Sequence, residues 1–190
     1  MIAGLGNPGP EYAETRHNAG FWFLDALAQC SHVAFRLQPR FCAQAARVTL
    51  QGKDCVLVRP ATFMNHSGRA IRAVTDYFQV SVANLLVAYD ELDLPAGVSR
   101  LKQGGGHGGH NGMRDIFRHI PDHDFLRLRI GIGHPGSKDA VTEYVLGRPP
   151  AGEEKLIRGA IGEAIAVLPN VLCGQLPTAM KMLHTQENAG

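Results

Sequence analysis

Short apolar runs alternate along this chain with segments of helical periodicity, and this order limits the choice of fold more than any other feature. Five segments have the length and pattern of β-strands: Ile2–Leu5, Ala45–Leu50, Cys55–Val58, Leu85–Ala88 and residues 126–132. Helical spacing occurs at 23–30, 71–78, 113–120 and 157–165, and Pro177 could open a last helix toward Met182. Ala45–Val58 resembles a hairpin, which makes the sheet mixed. The prediction is an α/β fold: a single three-layer α/β/α domain over residues 1–190, with a twisted mixed β-sheet flanked by helices.

The composition agrees with one globular domain. The 190 residues are 45% hydrophobic and 19% charged, and a chain of this length buries about 70% of its unfolded surface. No stretch approaches the roughly 18 apolar residues of a membrane helix, and Met1–Gly6 turns glycine-rich before a signal-peptide core could form. We therefore expect a cytoplasmic protein without a membrane partner. The formal net charge of +2 permits a nucleic-acid partner without arguing for one.

The cysteines are widely spaced. They are Cys30, Cys42, Cys55 and Cys173. No pair has C-x-x-C spacing, so the sequence predicts reduced, mostly buried thiols rather than a zinc site or a catalytic thiol.

The segment Gly4–Gly9 matches the dinucleotide-binding pattern G-x-G-x-x-G and follows a predicted strand. That pattern works only when a helix begins at once and points its N-terminus at the pyrophosphate. Pro8 and Pro10 interrupt such a start, and Asp25 falls inside a helical pattern instead of at a strand end. We therefore expect no nucleotide cofactor here.

A second glycine-rich segment, Gly104–Gly112, leads into the predicted helix at Met113. It lacks the Gly-Lys-Ser/Thr of a phosphate-binding loop. One interpretation is a flexible surface loop. The other is a loop that approaches and covers a substrate, since two histidines and an asparagine interrupt the glycines.

His17 precedes the first predicted helix, and Asp90 ends a predicted apolar strand. A carboxylate that accepts from one ring nitrogen would leave the other nitrogen free as a general base. The alternative is a surface histidine and an N-capping aspartate. The chain has no G-x-S-x-G nucleophile motif, and Ser67 is placed as a helix N-cap, so an activated water would have to attack.

The histidines also suggest a metal site, but their spacing argues against one. His17, His107, His110 and Asp90 could be gathered as ligands, yet no pair has the H-E-x-x-H helical spacing. We expect no metal.

Three asparagines fall in predicted strand-end loops: Asn7, Asn65 and Asn111. A neutral amide suits a peptide backbone or a developing oxyanion, although any single asparagine is more often a turn residue.

Several long motifs, in order, resemble the bacterial-type peptidyl-tRNA hydrolase family. They comprise Gly4–Gly9, Glu11-Tyr12, Thr15–Gly20, Thr62–Asn65, Asp90–Pro95, Gly104–Gly112 and Arg127–Gly136. The likeness extends from residue 2 to about residue 150 and more loosely through the C-terminal helices. That family cleaves the ester between a peptide and the terminal ribose of tRNA, as a monomer without metal or cofactor.

The resemblance implies roles for residues at matching positions. His17 would activate water, Asp90 would orient His17, and Asn7 would position the ester and stabilise the oxyanion. Asn65 and Asn111 would hold the peptide and the 3′ end. The implied cleft-lining residues are Tyr12, Met64 and His110, and the implied acceptor-stem phosphate contacts are Lys102, Arg114 and Arg129, with Lys102 and Arg129 near the 5′ phosphate.

The chain departs from the family pattern in two places. His66 occupies a position where an apolar residue is expected, which could change the packing or the polarity of the cleft, and the first strand is shorter than usual. Two rival functions also fit the motifs. One is a non-catalytic RNA-binding relative of the intron-splicing type, and the other is a metal-dependent hydrolase that uses His107 and His110.

Overall fold

The computed structural model describes residues 1–184, which form seven β-strands and six α-helices. The strands are β1 (Ile2–Gly4), β2 (Arg36–Gln38), β3 (Ala43–Leu50), β4 (Lys53–Pro60), β5 (Leu86–Glu91), β6 (Ser99–Gln103) and β7 (Leu126–Gly131). The helices are α1 (Ala19–Cys30), α2 (Ser67–Tyr77), α3 (Asn111–His119), α4 (Val141–Leu146), α5 (Ala151–Leu172) and α6 (Leu176–His184).

All seven strands belong to one mixed sheet, in the order β2-β3-β4-β1-β5-β7-β6. The four central strands β4, β1, β5 and β7 are parallel, whereas β2, β3 and β6 run antiparallel to their neighbours. The predicted hairpin is β3–β4. Its register pairs Leu50 with Lys53, and the two turn residues, Gln51 and Gly52, both have positive φ, as a two-residue hairpin turn requires.

Helices cover both faces of the sheet, which confirms the three-layer α/β fold. Along β5, Leu86 and Ala88 pack into a cluster with residues of α1, α5 and α6, whereas Val87 and Tyr89 pack into a second cluster with α2 and α3. This continuous apolar strand is typical of a parallel strand buried on both faces.

Two local predictions were wrong. Only Cys55 is buried, because the other three cysteines lie at the ends of secondary-structure elements on the surface. Ser67 is the first residue of α2 instead of its N-cap, since its hydroxyl donates to the carbonyl of Met64 in the preceding 3-10 turn. On β7, the polar face of the strand includes Arg127, which is 1% exposed.

The final helix begins one residue before Pro177. Residues 185–190 lie outside the described residues, so one domain over 1–190 stays a prediction. None of the helices within residues 1–184 combines the length and hydropathy needed to cross a bilayer.

Candidate active site

A cleft of about 330 Å³ opens where the loops after β1, β4 and β5 meet. This is the edge at which an open α/β sheet binds its ligands, since the carboxyl ends of the parallel strands converge there. The polar side chains that line it are Asn7, His17, Asn65, Asp90, Glu91, His110, Asn111 and Thr142. Apolar side chains, among them Phe63, Met64, Leu92 and Val145, line the rest.

His17 lies in a 3-10 turn, Arg16–Asn18, that leads directly into α1. The buried Arg16 anchors this turn. Its guanidinium pairs with Glu153 of α5 at 2.8 Å and donates to the Tyr144 carbonyl of α4 at 3.2 Å. Two helices from distant parts of the chain therefore fix the turn that presents His17.

Close backbone contact sets α1 against the sheet. A β-carbon at Gly20 would overlap the backbone of Leu5 and the carbonyl oxygen of Ala88, and a β-carbon at Gly4 would overlap the carbonyl oxygen of Gly20. Both positions therefore require glycine. The start of α1 approaches β1 and β5 closely enough to set His17 opposite Asp90.

The ring of His17 binds the Asp90 carboxylate through one nitrogen. Its Nδ1 lies 3.0 Å from Oδ1 and 2.9 Å from Oδ2 of Asp90. An ionised carboxylate only accepts hydrogen bonds, so Nδ1 carries the hydrogen and neutral His17 keeps its lone pair on Nε2. Among residues 1–184, Nε2 has no hydrogen-bond partner, and His17 lines the cleft. The structure thus brings together the two residues of the general-base hypothesis.

His110 binds the same carboxylate from the other side. Its Nε2 lies 2.9 Å from Oδ1 of Asp90, while its Nδ1 accepts from the backbone N–H groups of Gly112 at 3.1 Å and Met113 at 3.3 Å. His110 is therefore the side-chain N-cap of α3, and its hydrogen must be on Nε2. The ring of Tyr89 packs edge-on against His110, with centroids 5.0 Å apart.

These contacts shift the pKa values of the pair in opposite directions. Burial lowers the pKa of His17, but the charge of Asp90 and its hydrogen bond outweigh burial, so the net pKa lies above the ordinary value. Burial raises the pKa of Asp90, but the charges and hydrogen bonds of His17 and His110 outweigh it and hold that pKa far below its usual range. Asp90 is therefore ionised at neutral pH.

Within residues 1–184, His17, Asp90 and His110 form a group that could hold a metal ion, since their donor atoms lie within 4.8 Å of one another. The hydrogen bonds of His110 conflict with that use. A metal on Nε2 of a neutral histidine would place the hydrogen on Nδ1, but Nδ1 already accepts from two backbone N–H groups. The donor set fits a hydrogen-bonded His-Asp-His arrangement better than a metal centre.

Asn7 is held by its backbone and by half of its side chain. The side chain of Asn18 bonds to both the N–H and the carbonyl of Asn7, at 2.8 and 3.0 Å. The Oδ1 of Asn7 accepts from the backbone N–H of Met64 at 2.8 Å. The amide orientation leaves Nδ2 of Asn7, which lines the cleft, as a donor for a bound group.

The other predicted substrate contacts divide into two sets. Met64, Asn65, His110 and Asn111 line the cleft, as the resemblance implies. Tyr12 is absent from the lining, but its ring packs edge-on against Phe63, which lines the cleft, with 6.1 Å between the ring centroids. His66 is exposed and lies outside the cleft lining, so it changes neither packing nor cleft polarity.

The three predicted phosphate contacts differ in surroundings. Lys102 and Arg129 lie on the same face of the β6–β7 pair, because Lys102 pairs with Arg127 and Arg100 pairs with Arg129. Lys102 is exposed, whereas Arg129 is half-buried and bonds to Glu91 at 2.8 Å. Arg114 is exposed on α3 and donates to Asn111.

Comparison with known proteins identifies the family. The family model for peptidyl-tRNA hydrolase matches residues 1–190. The chain belongs to the peptidyl-tRNA hydrolase family.

Individual members of the family are similar over nearly the whole chain. A peptidyl-tRNA hydrolase of Acidithiobacillus ferrooxidans is 50% identical over 97% of this chain and 98% of its own length. One of Pseudomonas putida is 47% identical over 98% of this chain and 97% of its own length. The crystal structure of peptidyl-tRNA hydrolase from Acinetobacter baumannii superposes with a TM-score of 0.93 at 48% identity, covering 96% of this chain and 92% of that one. Because these relatives are named hydrolases, they give no support to the non-catalytic alternative.

Sequence reasoning missed three residues that support this peptidyl-tRNA hydrolase site. Arg16 and Asn18 flank His17 in the family motif. The contact of Arg16 with Glu153 spans 137 residues, and the contact of Asn18 with Asn7 depends on the fold of the loop between them, so no local pattern reveals either. The third is Arg127, a charged residue between apolar neighbours in β7. The alternation of arginine with apolar residues along β7 was the sequence feature that could have indicated this residue.

Proposed function

We propose that this chain hydrolyses the ester between the peptide and the 3′-terminal ribose of peptidyl-tRNA with water activated by His17. The products are the peptide and free tRNA, which can be reused in translation. Membership of the peptidyl-tRNA hydrolase family supports the activity. The observation that carries the mechanism is the ring of His17, since Nδ1 is bound to Asp90 and Nε2 is left as a base beside the cleft.

In the first step, Nε2 of His17 takes a proton from water as the water oxygen attacks the ester carbonyl carbon. Asp90 stabilises the imidazolium that forms, because its carboxylate remains ionised and accepts from Nδ1. The carbonyl oxygen becomes an oxyanion, for which Nδ2 of Asn7 is the donor. The intermediate then expels the ribose 3′ oxygen, which receives the proton from Nε2 of His17.

The remaining cleft residues hold the two halves of the substrate. Asn65 and Asn111 offer side-chain amides to the peptide backbone and the 3′ end, and Met64 supplies an apolar wall. His110 orients Asp90 through a hydrogen bond to its carboxylate, and Tyr12 supports the cleft by packing against Phe63.

The positive side chains on the β6–β7 face suit the acceptor stem. Lys102 and Arg129 are assigned to the 5′ phosphate, and the exposed Arg114 is assigned to a neighbouring phosphate. Such contacts fix the position of the tRNA and take no part in the chemistry. We further propose that the enzyme works as a cytoplasmic monomer that needs no metal or cofactor.

The test is release of labelled N-acyl-amino acid from N-acyl-aminoacyl-tRNA by the purified protein in the presence of a chelator. We expect turnover without added metal, and little turnover of aminoacyl-tRNA whose amino group is free. Activity that vanishes with chelator and returns with zinc or manganese would favour the metal-dependent alternative. Binding of tRNA without hydrolysis would favour the RNA-binding alternative.

A further inference from the structure

Arg127 is the largest side chain among the fully buried residues, at 1% exposure. Within residues 1–184 no carboxylate pairs with it. Instead, its guanidinium donates to three backbone carbonyls: Nη1 to Gly106 at 2.5 Å, and Nη2 to Gly105 at 2.5 Å and to His123 at 3.3 Å. A buried charge is costly unless it is satisfied, so these carbonyls and a hydrogen bond with the Tyr89 side chain stabilise the guanidinium, although Nε finds no partner within residues 1–184.

Aromatic rings hold the guanidinium in one orientation. Its central carbon lies 5.1 Å from the ring centroid of Phe117 and 5.0 Å from that of Phe125. Phe117 is itself stacked on His123, with centroids 3.8 Å apart and planes 10° apart. A planar group packed in this way presents its donors in a fixed direction, toward the glycine-rich segment.

That segment, residues 104–110, joins β6 to α3 and is held at several points. The N–H of Gly104 donates to the carbonyl of Phe125 at 3.1 Å, and the ring of His107 packs edge-on against Phe117. Arg127 binds the carbonyls at Gly105 and Gly106, and His110 is bound to the start of α3 and to Asp90. Between these points, Gly108 and Gly109 line the cleft. A β-carbon at either position would meet nothing within 4 Å, and both have positive φ, at 57° and 80°. The path of this stretch is therefore set by the contacts of Arg127 and His107 before it and of His110 after it.

The attachment made by Arg127 also contacts Lys102, one of the residues proposed to bind tRNA phosphate. A β-carbon at Gly105 would lie 3.0 Å from Cε of Lys102, so the backbone that Arg127 holds packs against the stem of Lys102. Losing the attachment would free the cleft wall and Lys102 together.

We propose that Arg127 is a positioning residue that attaches the glycine-rich segment to the sheet and so sets the cleft wall at Gly108 and Gly109. The inference rests on the proposed hydrolysis, because it assigns this wall to substrate positioning. Arg127 does not touch the reacting atoms. Since Gly105 and Gly106 are exposed, water can solvate their carbonyls when the guanidinium is removed, which allows the fold to survive the loss.

The test compares Arg127→Met, which keeps the length and removes the donors, with Arg127→Lys, which keeps the charge but loses the fork of donors. Arg47→Met is the control, because Arg47 is exposed on β3 and makes only a distant contact with Phe78. The first measurement is hydrogen exchange of the peptide that spans residues 103–112. We expect at least about tenfold faster exchange there in Arg127→Met, an intermediate rate in Arg127→Lys, and unchanged exchange in β5.

The second measurement is kcat and KM of each folded variant on N-acyl-aminoacyl-tRNA. We expect kcat/KM to fall about 10- to 100-fold in Arg127→Met, with a smaller fall in Arg127→Lys and the acid limb of the pH profile unchanged, because His17 and Asp90 are untouched. Should Arg127→Met fail to fold, Arg127→Lys decides by the same two measurements.

Unchanged exchange in residues 103–112 would overturn the attachment. Faster exchange with wild-type kcat/KM would overturn the positioning role. If the wild-type protein itself does not hydrolyse the substrate, the proposed function fails, yet the exchange measurement still decides whether Arg127 holds the segment.

Discussion

Two histidines flank Asp90, and they differ in what the second ring nitrogen does. His17, in the turn before α1, binds Asp90 through Nδ1 and leaves Nε2 facing the cleft. His110, at the start of α3, binds Asp90 through Nε2 and uses Nδ1 to cap the helix. The carboxylate is common to both, so the carboxylate does not decide which histidine is the base. The backbone around each ring decides it, because only His17 keeps a lone pair for water.

The largest expected effect comes from removing that lone pair. His17→Ala should lower kcat toward the upper end of the roughly 10²–10⁴ range attributed to a general base. The fold should persist, since a cleft histidine contributes little core packing, and the far-ultraviolet circular dichroism spectrum should match that of wild type. Near-normal single-turnover rates in a folded His17→Ala protein would contradict the assignment.

Asp90→Asn should cost somewhat less, about 10²–10³ in kcat. An amide in place of the carboxylate favours the wrong tautomer of His17, and the comparable change in serine proteases costs about 10⁴. Wild-type activity should decrease at pH values below the pKa of His17, which lies above the ordinary histidine value of about 6.5. Without the charge of Asp90, burial alone acts on His17, so the acid limb of the pH–rate profile should move to lower pH.

The double variant with His17→Ala sharpens this assignment. Because the two residues act as one unit, we expect it to be scarcely slower than His17→Ala alone. Multiplicative losses would mean that Asp90 works independently of His17, and rescue of Asp90→Asn by zinc or manganese would indicate a metal mechanism.

His110 should respond in two stages. His110→Asn keeps a side chain that caps helices well but alters the donor to Asp90, and His110→Ala removes both cap and donor. We expect a loss of about tenfold in kcat/KM for Asn, and for Ala a further loss of about 1 kcal/mol in the free energy of unfolding. Equal stability of the two variants in denaturant titrations would show that the cap is dispensable. A loss in His110→Asn as large as in His17→Ala would make the two histidines equivalent and break the comparison.

Lys102→Ala with Arg129→Ala should act on binding alone. Removing two phosphate contacts should raise KM for tRNA substrates and reduce the slope of log affinity against log salt by up to about 2. A minimal ester without the acceptor stem should be hydrolysed nearly as before. Equal losses on both substrates would point instead to the Arg129–Glu91 pair supporting the cleft.

The smallest effect is expected at His107, to which the family resemblance assigns no role in the cleft, unlike His110. The ring of His107 accepts from the N–H of Gly109 and packs edge-on against Phe117, and His107 is absent from the cleft lining. His107→Ala should therefore retain activity within about twofold, as surface substitutions usually do. A loss beyond tenfold in steady-state assays would give His107 a role that its contacts do not suggest.

The central strands were predictable from sequence and the edge strands were not. A strand such as β5 is buried on both faces and reads as a continuous apolar run. The edge strands β2 and β6 were missed, because Arg36–Gln38 is short and mostly exposed and Ser99–Gln103 contains a single apolar residue, Leu101.

The candidate site was predictable where chemistry is carried by residue type at a strand end, as for His17 and Asp90. It was not predictable where a contact joins distant residues. That His110 caps α3 depends on the path of the preceding glycines, and that Arg16 anchors the His17 turn depends on helices more than a hundred residues away. Local pattern contains neither fact.

The contact of Gly4 with Gly20 has a consequence for how this enzyme can change over generations. Because backbone packs on backbone there, any side chain at Gly4 or Gly20 would push α1 away from the sheet. A change at one of these glycines cannot be compensated by a change at the other. Substitutions at this helix–sheet contact therefore cannot adjust the distance between His17 and Asp90 in small steps. Variation that alters performance must enter at the rim, through the loops that meet the substrate.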